Sequence, residues 1–453
     1  MKTVITYGVF DLYHEGHESL LKRAKELGDR LIVGVTTDQY AAQRGKLTLV
    51  DPIEKRMEHV RSCPYVDAVI VEDRDGQKVD DIKAYGVDVF AIGDDWFGKF
   101  DHLKALCEVV YLKRTPGISS SLLKHGAIDE MRIGIVGSGR IAERFCREAG
   151  FVRDVSIESV YHPRPDTSAS LAAFRSAHPG IMLARTTEKL FDQTDAVYIA
   201  SPHETHYGYV KQALLAGRHV LVEKPAALKR EEAEELFAIA KERNLVLMEA
   251  VKTAYCPGFL NLVSLVQSGE IGEVVDITAA FSRLTSRGLR EWTDTRCGGS
   301  FTEFGSYLLL PVMKLFGTEG LSCSFRSVTD STGIDLFTVA TVMKGEKTAT
   351  LRCGIGAKTE GELIIAGTKG YLIAEAPWWK TSYFEIRYED PHRRKRFSFP
   401  YEGDGLRYEI ADLLYRARGY SGRDYKLLPE DSVTMAGIME TFLSGQRKER
   451  YDV

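Results

Sequence analysis

No apolar run in the 453 residues approaches the length of a bilayer span, which excludes a helical membrane protein. Cysteine is sparse. The seven thiols are scattered, odd in number and without a CxxC pair, which argues against a disulfide framework and fits reduced thiols in a cytosolic protein. Neither sign of charge dominates. Sixty Lys and Arg stand against 64 Asp and Glu, for a formal charge of −4 and a pI near 6.3, so no general affinity for nucleic acid is expected. The basic run Pro391–Phe397 (PHRRKRF) reads as a solvated surface loop or strand, with an anion site as the alternative. The chain enters a strand at Thr3–Tyr7 without a basic-then-apolar leader. Repeats, heptads and low-complexity tracts are missing too. These absences together predict a soluble, cytoplasmic protein with no membrane or nucleic-acid partner.

What is present is alternation. The length predicts two to four domains. Lys2–Tyr7, Arg30–Thr36, Val66–Val71 and Val87–Ile92 are apolar runs of strand type separated by helical stretches. That order implies a parallel sheet covered on both faces, with its site at the carboxyl ends of the strands. The turn after the first strand is Gly8-Val9-Phe10-Asp11-Leu12-Tyr13-His14-Glu15-Gly16-His17. Imidazole N–H groups at a helix start can donate to phosphate oxygens, and Gly16 leaves room for close approach. A metal reading lacks the HExxH spacing and a nearby third ligand. Farther on, Arg114-Thr115-Pro116-Gly117-Ile118-Ser119-Ser120-Ser121 reads as a turn and a hydroxyl-capped helix N-terminus, a natural phosphate site.

These segments, with Arg44-Gly45-Lys46, Ile92-Gly93-Asp94-Asp95-Trp96, Lys99-Phe100-Asp101 and CEVVYLKRTPGISSS, resemble the cytidylyltransferase family across nearly all of residues 1–125. The glycerol-3-phosphate cytidylyltransferases are its most similar branch. The resemblance implies that His14 and His17 hold the triphosphate and stabilise charge on the α-phosphoryl group. It implies that Lys46 and Arg44 neutralise phosphates of CTP or the acceptor, and that Arg114, Thr115, Ser119 and Ser120 bind the outer phosphates. Gly8, Phe10, Asp11 and Asp94 fall at matching nucleotide-site positions, as does Asp38; for each aspartate a structural role stays open. Transfer of this kind relies on positioning and charge compensation, with Mg²⁺ expected alongside CTP and no dedicated ligand set legible. Two departures leave the polyol phosphate open. Cys63-Pro64-Tyr65-Val66-Asp67 lacks a basic residue common in the family, and Glu72–Gly76 lacks a tryptophan.

A second system begins at the apolar strand Met131–Val136, which runs into Gly137-Ser138-Gly139-Arg140-Ile141-Ala142 and a helix, the context of a dinucleotide site. The next strand, Ser156–Tyr161, ends in His162-Pro163-Arg164 where an NAD site usually offers a carboxylate. That favours NADP(H) over NAD(H), with Arg164 as an ordinary loop residue the alternative. After the strand Asp195–Ala200 come Ser201-Pro202-His203-Glu204-Thr205-His206 and then Gly217–Pro225, which ends in Glu223-Lys224-Pro225.

This order resembles the glucose–fructose oxidoreductase and inositol dehydrogenase family through to the C-terminus. The resemblance implies a substrate-contacting lysine at Lys224, which would polarise a carbonyl or stabilise an alkoxide, and a cis peptide before Pro225. Gly137, Gly139, Arg140, Ile141, His162, Arg164, Ser201, Pro202, His206 and Glu223 would bind cofactor, with His206 and Lys252 at the pocket rim and Lys252 toward substrate. In Gly298–Tyr307, Glu303 and Tyr307 share a helix face if the segment is helical. Tyr307 would be the proton donor, its pKa lowered by Lys224, and Glu303 would orient substrate hydroxyls; a packed tyrosine is the alternative. Beyond Ala250, Glu273–Arg283, Leu336–Met343, Thr348–Gly354 and Glu362–Ile365 are strand-rich, suggesting a largely antiparallel sheet. In similar proteins such a sheet mediates self-association, which implies a homo-oligomer, dimer or tetramer.

The expected layout is an α/β chain. Residues 1–125 form a Rossmann-like cytidylyltransferase domain, 126–130 a short linker, 131–250 an NAD(P)-binding Rossmann domain, and 251–453 a C-terminal α+β substrate and oligomerisation domain. The expected function is bifunctional. A keto- or aldo-sugar (phosphate) would be reduced, and CMP transferred from CTP to the polyol phosphate. The CDP-polyol, such as CDP-glycerol, would supply cell-wall or capsule polymers. The alternatives are one catalytic unit beside a binding or assembly module, or a transferase that uses ATP.

Overall fold

A computed structural model of the chain describes residues 2–11, 13, 15–43, 51–74, 76–93, 100–112, 130–419, 426–445 and 448–452. The chain divides into two compact units, the first reaching Ala127 and the second beginning at Ile128.

The first unit is a parallel sheet of β1 (Thr3–Gly8), β2 (Arg30–Thr36), β3 (Ala68–Glu72), β4 (Val89–Gly93) and β5 (Glu108–Leu112), ordered β3-β2-β1-β4-β5. Alternate side chains serve opposite faces, as a pleat requires. Val4, Leu31, Val33, Val35, Val89 and Ala91 enter one cluster, and Ile5, Tyr7, Ile32, Phe90 and Ile92 the other. Both faces are therefore apolar, which is why these strands read as nearly continuous hydrophobic runs. Strand order reverses at β1, where ligands of such sheets bind. The helix Glu15–Lys25 starts just beyond that strand's end.

The second unit opens with another parallel sheet, built from β6 (Met131–Val136), β7 (Val155–Tyr161), β8 (Met182–Ala184), β9 (Ala196–Ile199), β10 (His219–Glu223) and β11 (Leu247–Ala250). Its order, β11-β10-β9-β6-β7-β8, reverses between β6 and β9.

The chain then builds a nine-stranded sheet from β12 (Val274–Ser282), β13 (Ser322–Thr329), β14 (Asp335–Lys344), β15 (Lys347–Gly354), β16 (Leu363–Gly367), β17 (Gly370–Ala374), β18 (Tyr383–Tyr388), β19 (Arg394–Ser398) and β20 (Lys448–Asp452). Among the described residues only the β12–β15 and β13–β20 pairs are parallel; the rest run antiparallel, as expected for this strand-rich region. The basic run forms the edge strand β19, where Lys395 pairs with Glu270 and Arg396 with Glu385.

The buried helix Ser300–Phe316 packs on one face of this sheet. Its start is fixed by Asp335, whose Oδ2 accepts from Ser300 N (3.0 Å), Ser300 Oγ (2.6 Å) and Phe301 N (2.9 Å). Gly299 stands at φ +92°, and a Cβ there would meet Asp335 Oδ1 at 1.9 Å. A carboxylate on free helix N–H groups both caps the helix and complements its dipole. This cap fixes the register of Glu303 and Tyr307.

Candidate active sites

In the first unit, His14, Arg44, Lys46, Asp94, Arg114, Thr115, Ser119 and Ser120 lie outside the described residues. Gly16 and His17 fall in the first turn of the helix Glu15–Lys25, as the helix-start reading requires. The His17 ring sits edge-on to Phe10, with centroids 5.3 Å apart. Phe10 is buried and takes φ +52°. A Cβ on Gly8 would meet the Phe10 ring at 2.9 Å. The Phe10 side chain therefore shapes the turn and packs against His17 from within the core. Asp11 Oδ1 accepts from Asp51 N at 2.9 Å.

Arg56 carries no motif signal, yet it ties this end of the sheet together. Fully buried, its guanidinium donates to the backbone carbonyls of Val9, Thr36 and Asp51 and pairs with Asp38. Such a cation is tolerated inside only because each donor finds an acceptor. Asp38 thereby takes the structural role left open for it.

In the second unit, one cleft of about 1110 Å³ gathers residues from both sheets. Its dinucleotide end follows from the glycines. Gly137 adopts φ +107°, and a Cβ there would strike Ala200 O at 2.4 Å; a Cβ on Gly139 would meet nothing within 4 Å. Gly137 thus lets β6 turn tightly against the end of β9, and Gly139 opens the backbone to a ligand. No side chain caps the helix Arg140–Ala149, whose N-terminal N–H groups suit a pyrophosphate. Arg140, Ile141, Arg144, Ser138, Ser170, His162 and Arg164 line this end, and Ser201 and Pro202 join them from the β9 turn. The Arg164 amide donates to His162 Nδ1 at 3.1 Å, while its exposed side chain forms no ion pair among the described residues. This cradle fits a dinucleotide.

At the other end Lys224 and Pro225 are joined by a cis peptide, as the resemblance implied. Lys224 is buried; its Nζ donates to Glu303 O at 2.8 Å and pairs with Glu303 Oε1 at 3.1 Å. Glu303 Oε2 stands 4.0 Å from His203 Nε2, which in turn takes a hydrogen bond from Arg290 at 3.0 Å. Burial, Arg290 and Lys224 hold the His203 pKa well below the usual histidine range, so its ring is neutral at pH 7. The result is a chain of Lys224, Glu303, His203 and Arg290, all lining the cleft. Its last two members are 87 residues apart in sequence and neither sits in a chemical motif. Only His203, inside the quoted Ser201–His206 run, left a trace.

Two expectations are corrected. His206 does not line the cleft. It is fully buried, and its ring nitrogens lie 2.8 Å from Pro225 O and 2.9 Å from Ser201 O, so that the neutral ring, wedged between the cis-proline loop and the β9 turn, donates to one of the two carbonyls. Burial pulls its pKa down to about 4. His203, three residues earlier, has the position foreseen for it.

Tyr307 does line the cleft on the same helix as Glu303, but its pKa is raised, not lowered. Burial is the largest cause, followed by Glu223, Glu409, Tyr401 and Glu303. The Lys224 ammonium, 5.9 Å from the ring centroid, is already paired with Glu303.

The remaining expected residues are also placed. Glu223 is largely buried, lines the cleft and accepts from Tyr198 OH at 2.5 Å. Lys252 also lines the cleft and donates to Asp404 O at 2.7 Å.

Comparison with known proteins completes the picture. Residues 5–126 match the Cytidylyltransferase-like family. Residues 131–251 match the Oxidoreductase family, NAD-binding Rossmann fold, and residues 259–373 the GFO/IDH/MocA C-terminal domain.

The chain belongs to both families: it is a cytidylyltransferase fused to an NAD(P)-dependent oxidoreductase.

The transferase part is similar to glycerol-3-phosphate cytidylyltransferase of Staphylococcus aureus, 52% identical over 124 residues that span 27% of this chain and 93% of the relative. The oxidoreductase part is similar to scyllo-inositol 2-dehydrogenase (NADP(+)) of Bacillus subtilis, 28% identical over 320 residues that span 68% of this chain and 95% of the relative. It also shares its fold with a 3-ketoreductase from Actinomadura kijaniata solved with NADP and TDP-benzene, with a TM-score of 0.61, 23% identity, and coverage of 71% of this chain and 99% of that one. Among the described residues, no helix is long and apolar enough to cross a membrane.

Proposed function

We propose that the oxidoreductase unit reduces the keto or aldehyde group of a small sugar, carried as its phosphate, and that the cytidylyltransferase unit transfers CMP from CTP to the resulting polyol phosphate. The observation that carries this reading is the fusion itself. A unit whose chemistry makes an alcohol is continuous with a unit whose relatives consume an alcohol phosphate. The products are a CDP-polyol, CDP-glycerol or a longer alditol analogue, and pyrophosphate, for cell-wall or capsule polymers.

In the reductase, the cradle around Gly137 and Gly139 would hold NADPH, which when bound would supply the hydride for the carbonyl carbon. Lys224 polarises the carbonyl oxygen, Tyr307 gives it a proton, and Glu303 receives a neighbouring hydroxyl. The exposed guanidinium of Arg164, with no carboxylate at the end of β7, supports NADP(H) over NAD(H). In the transferase, His14, His17 and Lys46 would bind the triphosphate of CTP, whose charge Mg²⁺ would offset when bound. Half-exposed apolar side chains on the nine-stranded sheet, Met343 and Tyr371 among them, support self-association into a homo-oligomer.

The reading is tested by supplying the full-length protein with NADPH, CTP, Mg²⁺ and a panel of keto-sugar phosphates, then detecting CDP-polyols by mass. A protein that oxidises NADPH with none of them, or turns over ATP in place of CTP, contradicts it.

A further inference from the structure

The helix Leu406–Ala417 brings Glu409 into the lining of the cleft that holds Lys224, Lys252 and Tyr307. Glu409 is 1% exposed, and its Oε2 finds no hydrogen-bond partner among the described residues. The carboxyl caps no helix and pairs with no cation by direct contact among the described residues. A buried polar atom left open within the chain, on the wall of a ligand cleft, calls for a polar atom of the ligand.

The surroundings define that atom. Lys252 spends one donor on Asp404 O, and an ammonium carries three. Glu223, also in the lining, is already engaged by Tyr198. Burial first, and Glu223 second, raise the Glu409 pKa well above its ordinary value, against the lowering pull of Lys252; in either protonation state the carboxyl offers an acceptor oxygen to a ligand. A hydroxyl suits the pair, since it can accept from Lys252 and exchange a hydrogen bond with Glu409. Phe281 and Trp379, stacked at 3.7 Å, and Leu406 supply apolar walls for a carbon chain.

We propose that Glu409, with Lys252, forms a hydroxyl-reading subsite that selects ketose phosphates longer than three carbons. The proposal rests on the sugar-phosphate reductase reading. A triose phosphate has one hydroxyl beside its carbonyl, and that hydroxyl is assigned to Glu303. Glu409 therefore asks for at least one more. On this account the polyol phosphate passed to CMP transfer is a tetritol, pentitol or hexitol phosphate.

The test compares NADPH oxidation by the full-length protein with D-ribulose 5-phosphate, D-fructose 6-phosphate and dihydroxyacetone phosphate. The wild type should favour at least one longer ketose over the triose by about tenfold or more in kcat/KM. Glu409→Leu should erase that preference mainly through KM. Glu409→Gln, which keeps the shape and an acceptor oxygen, should restore it to within about threefold. A fluorescence titration with NADPH, unchanged in both variants, shows that the cleft is intact. Equal loss on all substrates, or no loss, gives Glu409 a purely structural role and overturns the subsite alone. A wild type that reduces the triose as well as both longer ketoses overturns it without any variant. If none of the three is reduced, the sugar-phosphate reading fails and the subsite fails with it.

Discussion

Lys224 holds Glu303 by two bonds, one to its backbone oxygen at 2.8 Å and one to its carboxylate at 3.1 Å. This couples the cis-proline loop after β10 to the helix that carries Tyr307. A carbonyl entering the cleft meets an ammonium already aimed and already paired, so little reorganisation is needed as negative charge develops on oxygen.

Lys224→Ala should lower the reductase kcat by at least about a hundredfold and leave CTP-dependent pyrophosphate release unchanged. His17→Ala should do the reverse. Parallel assays of NADPH oxidation and pyrophosphate release check both. Loss of both activities in either variant would mean that one site supports the other.

Arg164→Ala should raise KM for NADPH by about tenfold or more while changing KM for NADH little, because a charge-assisted hydrogen bond to the 2′-phosphate is lost. The NADPH-to-NADH selectivity ratio is the readout. If it does not move, Arg164 is only a loop residue.

Tyr307→Phe should lower kcat about a hundredfold or more with little change in KM. Burial first, then Glu223, Glu409, Tyr401 and Glu303, raise the Tyr307 pKa. The phenol therefore stays protonated through neutral and mildly alkaline pH, and reduction should show no alkaline limb from this group. A wild-type kcat profile that falls between pH 7 and 9, with the fall missing in Tyr307→Phe, would contradict this assignment.

Glu249, buried on β11 beside the cis-proline loop, has its pKa raised by burial from 4.5 to about 7. Between those values the folded chain holds a proton that the unfolded chain has released. Its contribution to stability is thus fully present below pH 4.5 and lost as pH rises through 7. Glu249→Gln removes that dependence. Thermal denaturation at pH 5 and pH 8 should show a smaller fall in melting temperature for the variant than for the wild type.

Where chemistry and local pattern coincide, the sequence was a sufficient guide. The nearly continuous apolar runs in Thr3–Gly8 and Arg30–Thr36 mark parallel strands covered on both faces. Gly137 and Gly139 announce their turn, while the cis bond before Pro225 came from the family resemblance. Groups whose role arises from packing were not legible. Arg56 needs carbonyls at Val9, Thr36 and Asp51 to explain it. His203 needs Arg290, and Glu409 needs a cleft formed by elements nearly two hundred residues before it. The same cause accounts for the errors. His206 resembles a rim residue until its two backbone partners are seen. Likewise, the direction of the Tyr307 shift depends on Glu223, Glu409 and Tyr401, which no local window contains.

The central claim is that one chain makes an alcohol phosphate and activates it. The most direct measurement is a single incubation of the full-length protein with NADPH, CTP, Mg²⁺ and a ketose phosphate, followed by mass detection of nucleotide products. The account predicts a CDP-polyol two hydrogens heavier than the corresponding CDP-ketose, formed only when NADPH is present and lost in both Lys224→Ala and His17→Ala. NADPH oxidation without any CDP-polyol, or the same CDP-polyol formed without NADPH, would contradict it.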